Sequence, residues 1–278
     1  MGGLSKKAAL FNTLSSTSDT PALLLDAGNQ LFKQPALPTA PAEAGAARVR
    51  ARGIVLANQT MGLQFAAIGT HDLAAGPNFL KEIAGNGFTW LSLNLSNRYN
   101  DGLLFPGYIL RQAGQLTVAV LALTNHDSAT PADGSSYHIR PWREVLPAAL
   151  AQLRQRAHLI ILLSNYPLGE NREIARTFPQ IGLIFQSGHA MGNLPPIAVG
   201  NTLISQTETR GRYMGLLEID WQGRGSWRQP GKSALSAYDR AGSSFRQRFI
   251  PLSATMENDP AIDALVRQTE KQAQALTR

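Results

Sequence analysis

At 278 residues the chain has room for one large domain with a sizeable core, or for two small ones. Apolar residues make up 44% and charged residues 16%, below the roughly 25% usual in globular chains, and no apolar run approaches the ~18 residues of a membrane span. Cysteine is absent, which excludes disulfides, thiolate metal sites and cysteine nucleophiles; compartment stays open, because a domain this large needs no disulfides. Met1 leads into "GGLSKKAAL" without an apolar leader region, and Lys6 stands where a myristoylation motif needs Ser or Thr.

In chain order, "PALLLDAG" reads as a buried strand ending in a glycine turn. "PAEAGAARVRARGIVLANQ" reads as a helix, "LQFAAIG" as a strand, and "PNFLKEIAGNG" as a helix with a glycine stop. "FTWLSLNLS" and "LTVAVLALT" read as strands, "RPWREVLPAALAQLRQRA" as a helix, "HLIILLS" as a strand, "GENREIARTF" as a short helix and "IGLIFQSG" as a strand. Alternating helices and near-continuous apolar strands predict a largely parallel sheet covered on both faces. Beyond residue 190, "PIAVG", "TLISQTE", "RYMGLLEIDW" and "RFIPLS" follow one another without helices and predict antiparallel pairing. A closing helix begins at Asp259-Pro260, with Ile262, Leu265 and Val266 on its apolar face.

In open α/β sheets, sites form beyond the carboxyl ends of the strands. Here those ends carry Asn29, His71, Asn125-His126-Asp127, Asn165 and His189. His138 and His158 have neither a strand-end position nor ligand spacing, and Ser187-Gly188-His189 lacks the flanking glycines of a nucleophile elbow. The +7 net charge is concentrated between residues 210 and 248. Arg210, Arg212, Arg224, Arg228, Lys232, Arg240, Arg246 and Arg248 stand there against Glu218, Asp220 and Asp239, interleaved with Trp221, Trp227, Tyr238 and Phe245. Such a region can bind an anionic polymer. The plainer reading is solvated arginines over inward-packed aromatics. No nucleic-acid partner is expected, because no nucleic-acid fold motif accompanies the charge.

The order of segments resembles the metallophosphoesterase domain of the 5′-nucleotidase family, in the calcineurin-like superfamily, over essentially the whole chain. "GGLSKKAALFNTL" resembles the helix after the family's first strand, "LLLDAGNQLF" its LLLDAGDLF segment, and "FAAIGTHDLAAG" its Gly-Asn-His-Glu segment. "LLFPGYIL" with "GQLTVAVLAL" resembles the next two strands, "LIILLSNYPL" LIVLLSHLG, "IGLIFQSGHAM" IDLIIGGHSH, and "QTETRGRYMGLLEID" the Gly-Arg-Tyr-x-Gly strand. The resemblance implies a four-layer α/β/β/α sandwich with mixed sheets over residues 1–255, and a C-terminal helix, 256–278, packed on it or leading to a partner.

In that family two divalent metals, roughly 3.5–4 Å apart, activate a hydroxide and polarise the phosphoryl group. The resemblance places the bridging carboxylate on Asn29, the metal-binding Asn on Thr70, the Ser-His histidine on Asn165, and the Gly-His-x-His pair on His189 and Met191. His71 falls on the catalytic histidine. Only His189 keeps a good ligand for hard cations; Met191 offers a soft thioether. The Asp-x-His of the opening strand has no counterpart, so that strand is expected to be missing. These departures imply a vestigial His71, no bound metal or other cofactor, and a binding or structural subunit of an assembly. Its protein partner would cover the sheet edge left by the missing strand. Asn125, His126 and Asp127 are candidates for a rebuilt polar pocket. The alternatives are a phosphoesterase or nucleotidase with an atypical site holding a metal such as Mn or Zn, and a polyanion-binding module through residues 210–248. By resemblance the location is periplasmic or cell-surface and the partner could be a multihaem cytochrome system, although the chain itself has no Cys-x-x-Cys-His.

Overall fold

A computed structural model describes residues 3–17, 20–126, 136–188, 192–208, 211–223, 227–228 and 242–278. Six strands form one mixed sheet in the order β4 (Tyr108–Ala113), β5 (Leu116–Leu123), β7 (Leu159–Ser164), β8 (Leu183–Gln186), β10 (Thr202–Gln206) and β9 (Leu194–Val199). The four inner strands run parallel, while the edge strands β4 and β9 run antiparallel to their neighbours. The apolar runs are continuous because both faces are covered. Ile160 and Leu162 of β7 point into the cluster that holds Trp142, Leu146 and Leu150. Leu159, Ile161 and Leu163 point into the opposite cluster, with Phe65, Ala67 and Leu91.

The first of these faces is covered by α4 (Trp142–Leu153) and α5 (Leu168–Thr177). Against the second lies another strand layer. It contains the parallel pair β1 (Phe65–Ala67) and β2 (Thr89–Leu91), and the antiparallel hairpin β11 (Tyr213–Asp220) with β12 (Ser244–Pro251). Outside it pack α1 (Leu4–Ser16), α2 (Pro41–Thr60), α3 (Pro77–Ala84) and α6 (Pro260–Ala275). The result is the expected four-layer sandwich. No helix among the described residues is long and apolar enough to cross a membrane.

Three local departures have simple causes. "FTWLSLNLS" divides into β2 and β3 (Leu95–Asn97), because β2 pairs with β1 whereas β3 pairs with β6 (Tyr137–Ile139). β10 joins the large sheet in parallel with β8, so the late strands are not uniformly antiparallel. The first apolar segment, Pro21–Ala27, belongs to no ladder. It keeps strand-like alternation, with Leu23 and Leu25 facing the inter-sheet core and Leu24 the helical side. It is tied to β1 through the Ala67 N–H, which donates to the Asp26 carbonyl at 3.0 Å. A segment becomes a ladder strand only with a partner along its edge, and on the other side of this one lies a cavity of about 2670 Å³.

The closing helix is anchored on α1 and α2. Asp259 caps α6 by accepting the Ile262 N–H at 3.0 Å. Ile262, only 1% exposed, packs with Ala8, Ala57 and Met61. Gly53 lets α2 and α6 close, since a Cβ there would sit 2.9 Å from that of Thr269. Ile262→Ala should cost about 3 kcal/mol in urea unfolding, from lost transfer energy plus the cavity left behind.

Candidate functional site

The strand ends converge on one side of the sandwich, and backbone geometry brings them close. Gly28 has φ 93 and Asn29, a non-glycine residue, φ 63, so the chain after Ala27 doubles back against the turn after β1. That second turn runs through Ile68-Gly69-Thr70 into a 3-10 turn, His71–Ala75. Asp72 clamps the two turns together. Its Oδ2 accepts the N–H groups of Asn29 (2.7 Å) and Gly69 (2.8 Å), and its Oδ1 those of Gln30 and Leu31 (2.9 Å each). The carboxyl is fully buried. Burial pushes its pKa up from 3.8 to about 6, with the Asp26 charge adding to the rise and the backbone N–H bonds opposing it.

The positions that the resemblance aligns with metal ligands meet around these turns, and their polar atoms are bonded to one another. Asn29 Oδ1 accepts the His71 N–H at 3.0 Å, and Asn29 Nδ2 donates to the Ser187 carbonyl at 3.3 Å. Asn165 Oδ1 accepts the Thr70 N–H at 2.9 Å, and Asn165 Nδ2 donates to Ser187 Oγ at 3.1 Å. Ser187 Oγ in turn donates to the Ala27 carbonyl at 2.6 Å. Asn29, Thr70, His71 and Asn165 are therefore one cluster, closed by Ser187. Beside it, Asn125 is buried, and His126 Nδ1 lies 2.7 Å from the hydroxyl of Tyr166, the residue after Asn165. His189, Met191 and Asp127 fall outside the described residues.

The described ligand positions do not fit a pair of divalent cations. They offer two amides and one hydroxyl, all neutral, and both amide oxygens already accept backbone N–H groups. Among the described residues, no three His, Asp or Glu side chains are grouped to hold a metal ion. Hard dications need anionic oxygen or imidazole to offset their charge.

The sequence reading missed Asp72, Ser187 and Tyr166. An acid inside the apolar run "IGTHDLAAG" was the available signal for Asp72, since a buried carboxylate must be matched by donors. Ser187 and Tyr166 carry no comparable mark. His138 and His158 are ordinary, as expected. His138 Nε2 sits 3.2 Å from Asp101, and His158 Nδ1 accepts the Thr117 N–H at 2.9 Å. In the basic region, Arg246 and Arg248 stand exposed on β12, with Glu218 paired in register with Arg246 and 4.0 Å from Arg248. Trp227 is buried against the inter-sheet core, with Trp221 at 5.5 Å and Phe245 at 6.0 Å between ring centres. Arg212 is exposed and Arg228 is half-buried; Arg210, Arg224, Lys232 and Arg240 fall outside the described residues.

No protein-family model matches the sequence, and no curated protein matches it. Solved structures do match. The sulfate thiohydrolase SoxB of Thermus thermophilus, in complex with glycerol, superposes with a TM-score of 0.79 at 19% identity, over 98% of this chain and 47% of that one. A 5′-nucleotidase precursor, also from Thermus thermophilus, gives 0.73 at 20% identity, over 99% and 54%. The calcineurin-like phosphoesterase YfkN from Bacillus subtilis gives 0.74 at 13% identity, over 99% and 91%. The chain thus spans about half the length of the first two proteins. At these identities the likeness is one of fold: this chain has the fold of a metallophosphoesterase-like domain, in the form found in 5′-nucleotidases.

Proposed function

We propose that this domain acts as a binding or structural subunit and does not hydrolyse phosphoesters. The observation that carries the reading is the state of the two amide oxygens. Asn29 Oδ1 and Asn165 Oδ1, where the resemblance places a bridging carboxylate and a histidine, accept the N–H groups of His71 and Thr70. Metal-assisted phosphoryl transfer needs cations to offset charge on the transferring group, which amounts to several kcal/mol of transition-state stabilisation. The amides of Asn29 and Asn165 and the hydroxyl of Thr70 carry no charge with which to hold such cations. The cluster does supply rigidity, since each bond ties one strand end to another.

The test is metal content. The purified chain is incubated with excess Mn²⁺ and Zn²⁺, desalted, and analysed for bound ion, with nucleotide and phosphodiester hydrolysis assayed in parallel. The expected result is negligible metal and no metal-dependent hydrolysis. Stoichiometric, tightly held ion would overturn the reading and turn attention to Asn29, His71 and His189 as ligands.

A further inference from the structure

The connection between α3 and β2 is short, Gly85-Asn86-Gly87-Phe88. It leaves the helix through Gly85, at φ 53, and Gly85, Asn86 and Gly87 are all exposed. Asn86 is the one asparagine of the chain that is followed by glycine. Among the described residues, no hydrogen bond holds its side-chain amide. Two asparagines nearby in the sequence are held. Asn94, fully buried, donates to the Thr124 and Arg140 carbonyls at 2.8 Å each, and Asn97 Oδ1 accepts the Tyr99 N–H at 2.8 Å. The other side of the turn is pressed on α2. Gln59 of α2 donates from Nε2 to the Ala84 carbonyl at 3.0 Å, and a Cβ on Gly87 would lie 3.2 Å from that same nitrogen. Phe88, which follows, is buried edge-on against Trp90, at 4.9 Å between ring centres.

The side-chain carbonyl carbon of an asparagine is an electrophile within reach of the next residue's amide nitrogen. Glycine obstructs that approach least, since it has no Cβ and its backbone turns freely. We propose that Asn86 is a modification site, at which the folded chain deamidates without an enzyme and passes into the β-linked isoaspartate form. The Gly87 nitrogen gives up its proton to hydroxide and attacks Asn86 Cγ. The Cγ–Nδ2 bond breaks, Nδ2 leaves as ammonia, and a cyclic succinimide remains. Water then opens the ring. Addition at Cγ breaks the new bond and gives aspartate. Addition at the main-chain carbonyl carbon breaks the original peptide bond and leaves the chain running through Cγ. Water and hydroxide are the sole reagents. Either product puts a carboxylate just past the last turn of α3, where unpaired carbonyls already carry partial negative charge. The β-linked product also lengthens the main chain by one carbon, so it strains the contact of Gly87 with Gln59 and the packing of Phe88 on Trp90. The inference goes beyond the binding role above and does not depend on it.

The test uses the chain of 278 residues, kept folded at mildly alkaline pH, sampled over time and cut with trypsin. Cleavage after Lys81 and Arg98 yields one peptide that contains Asn86 together with Asn94 and Asn97, so the two held asparagines are internal controls. The expected result is the gain in mass of an amide NH₂ replaced by a hydroxyl, confined to Asn86 and growing in proportion to hydroxide. Isoaspartate should be detected at the same position by enzymatic methylation. Gly87→Ala should slow the gain several-fold, because its methyl group obstructs the attacking nitrogen. Aged chain should unfold at a lower urea concentration than fresh chain, whereas Asn86→Ser aged in parallel should keep its midpoint. Absence of the gain at Asn86 in the folded chain overturns the proposal, even where the guanidinium-denatured chain reacts there. Equal reaction at Asn94 or Asn97 overturns it too. Isoaspartate at Asn86 with an unchanged urea midpoint overturns the strain at this corner.

Discussion

Asp72→Ala should lower the stability of this domain by on the order of 5 kcal/mol, the largest single-residue effect expected outside the core. Four backbone donors, the N–H groups of Asn29, Gln30, Leu31 and Gly69, end on this one carboxylate. Alanine leaves all four without this acceptor, those of Leu31 and Gly69 buried and those of Asn29 and Gln30 partly so, and each buried unsatisfied donor costs about 1–3 kcal/mol before relaxation. Asp72→Asn is a sharper control. It keeps the shape but turns one face of the group into a donor aimed at other donors, so it should also destabilise. Urea unfolding of the three proteins measures both effects. The same carboxyl gives stability a pH dependence. Its folded pKa of about 6 lies above the ordinary 3.8, so as pH rises the unfolded chain loses this proton first. Between these values the folded state binds more protons, and the contribution of Asp72 to stability falls as pH rises, by roughly 3 kcal/mol in all, levelling above that window. The stability of the natural chain relative to Asp72→Asn should therefore shrink from about pH 4 to pH 6 and then stay constant. A difference that grows over that range would show that the four N–H bonds outweigh burial.

Gly28→Ala is expected to cost on the order of 4 kcal/mol, for two reasons that separate experimentally. The first is conformation: at φ 93 a side chain strains the backbone. The second is contact: a Cβ at Gly28 would stand 2.5 Å from the Gly69 nitrogen in the facing turn and 3.0 Å from the Ala67 carbonyl oxygen at the end of β1, both backbone atoms. Gly76 has a similar φ of 83 and nothing within 4 Å of its added Cβ. Gly76→Ala should then lose only the conformational part, about 1–2 kcal/mol. The difference in unfolding free energy between the two variants measures how tightly the two site turns are pressed together. Equal losses would mean that the turns part readily.

Much of the fold was legible in the sequence because it depends on local pattern. The apolar runs of β5 and β7 announce strands covered on both faces, and α2, α4 and α6 carry their starts in Pro41, Pro141-Trp142 and Asp259-Pro260. The order of short segments was enough to identify the four-layer sandwich. The failures also have a common cause. Where "FTWLSLNLS" breaks, and whether "PALLLDAG" joins a ladder, depends on partners elsewhere in the chain, and periodicity within a segment carries no information about its partner.

The site divides in the same way. Residue order alone fixes which side chains stand at the strand ends, and so that Asn29, Thr70 and Asn165, where the resemblance places metal ligands, are neutral groups. Residue type sets donor chemistry without regard to conformation. Packing sets what those groups bond to. It brought Asn29 to the His71 N–H, Asn165 to the Thr70 N–H, and Ser187 between the two amides, across sequence separations as wide as 158 residues. It also placed Asp72 under four backbone donors, and left residues 21–27 and β11 facing a shared cavity. Hydrogen bonds and empty space are properties of distance, and distances between remote residues are fixed only when the two layers have packed.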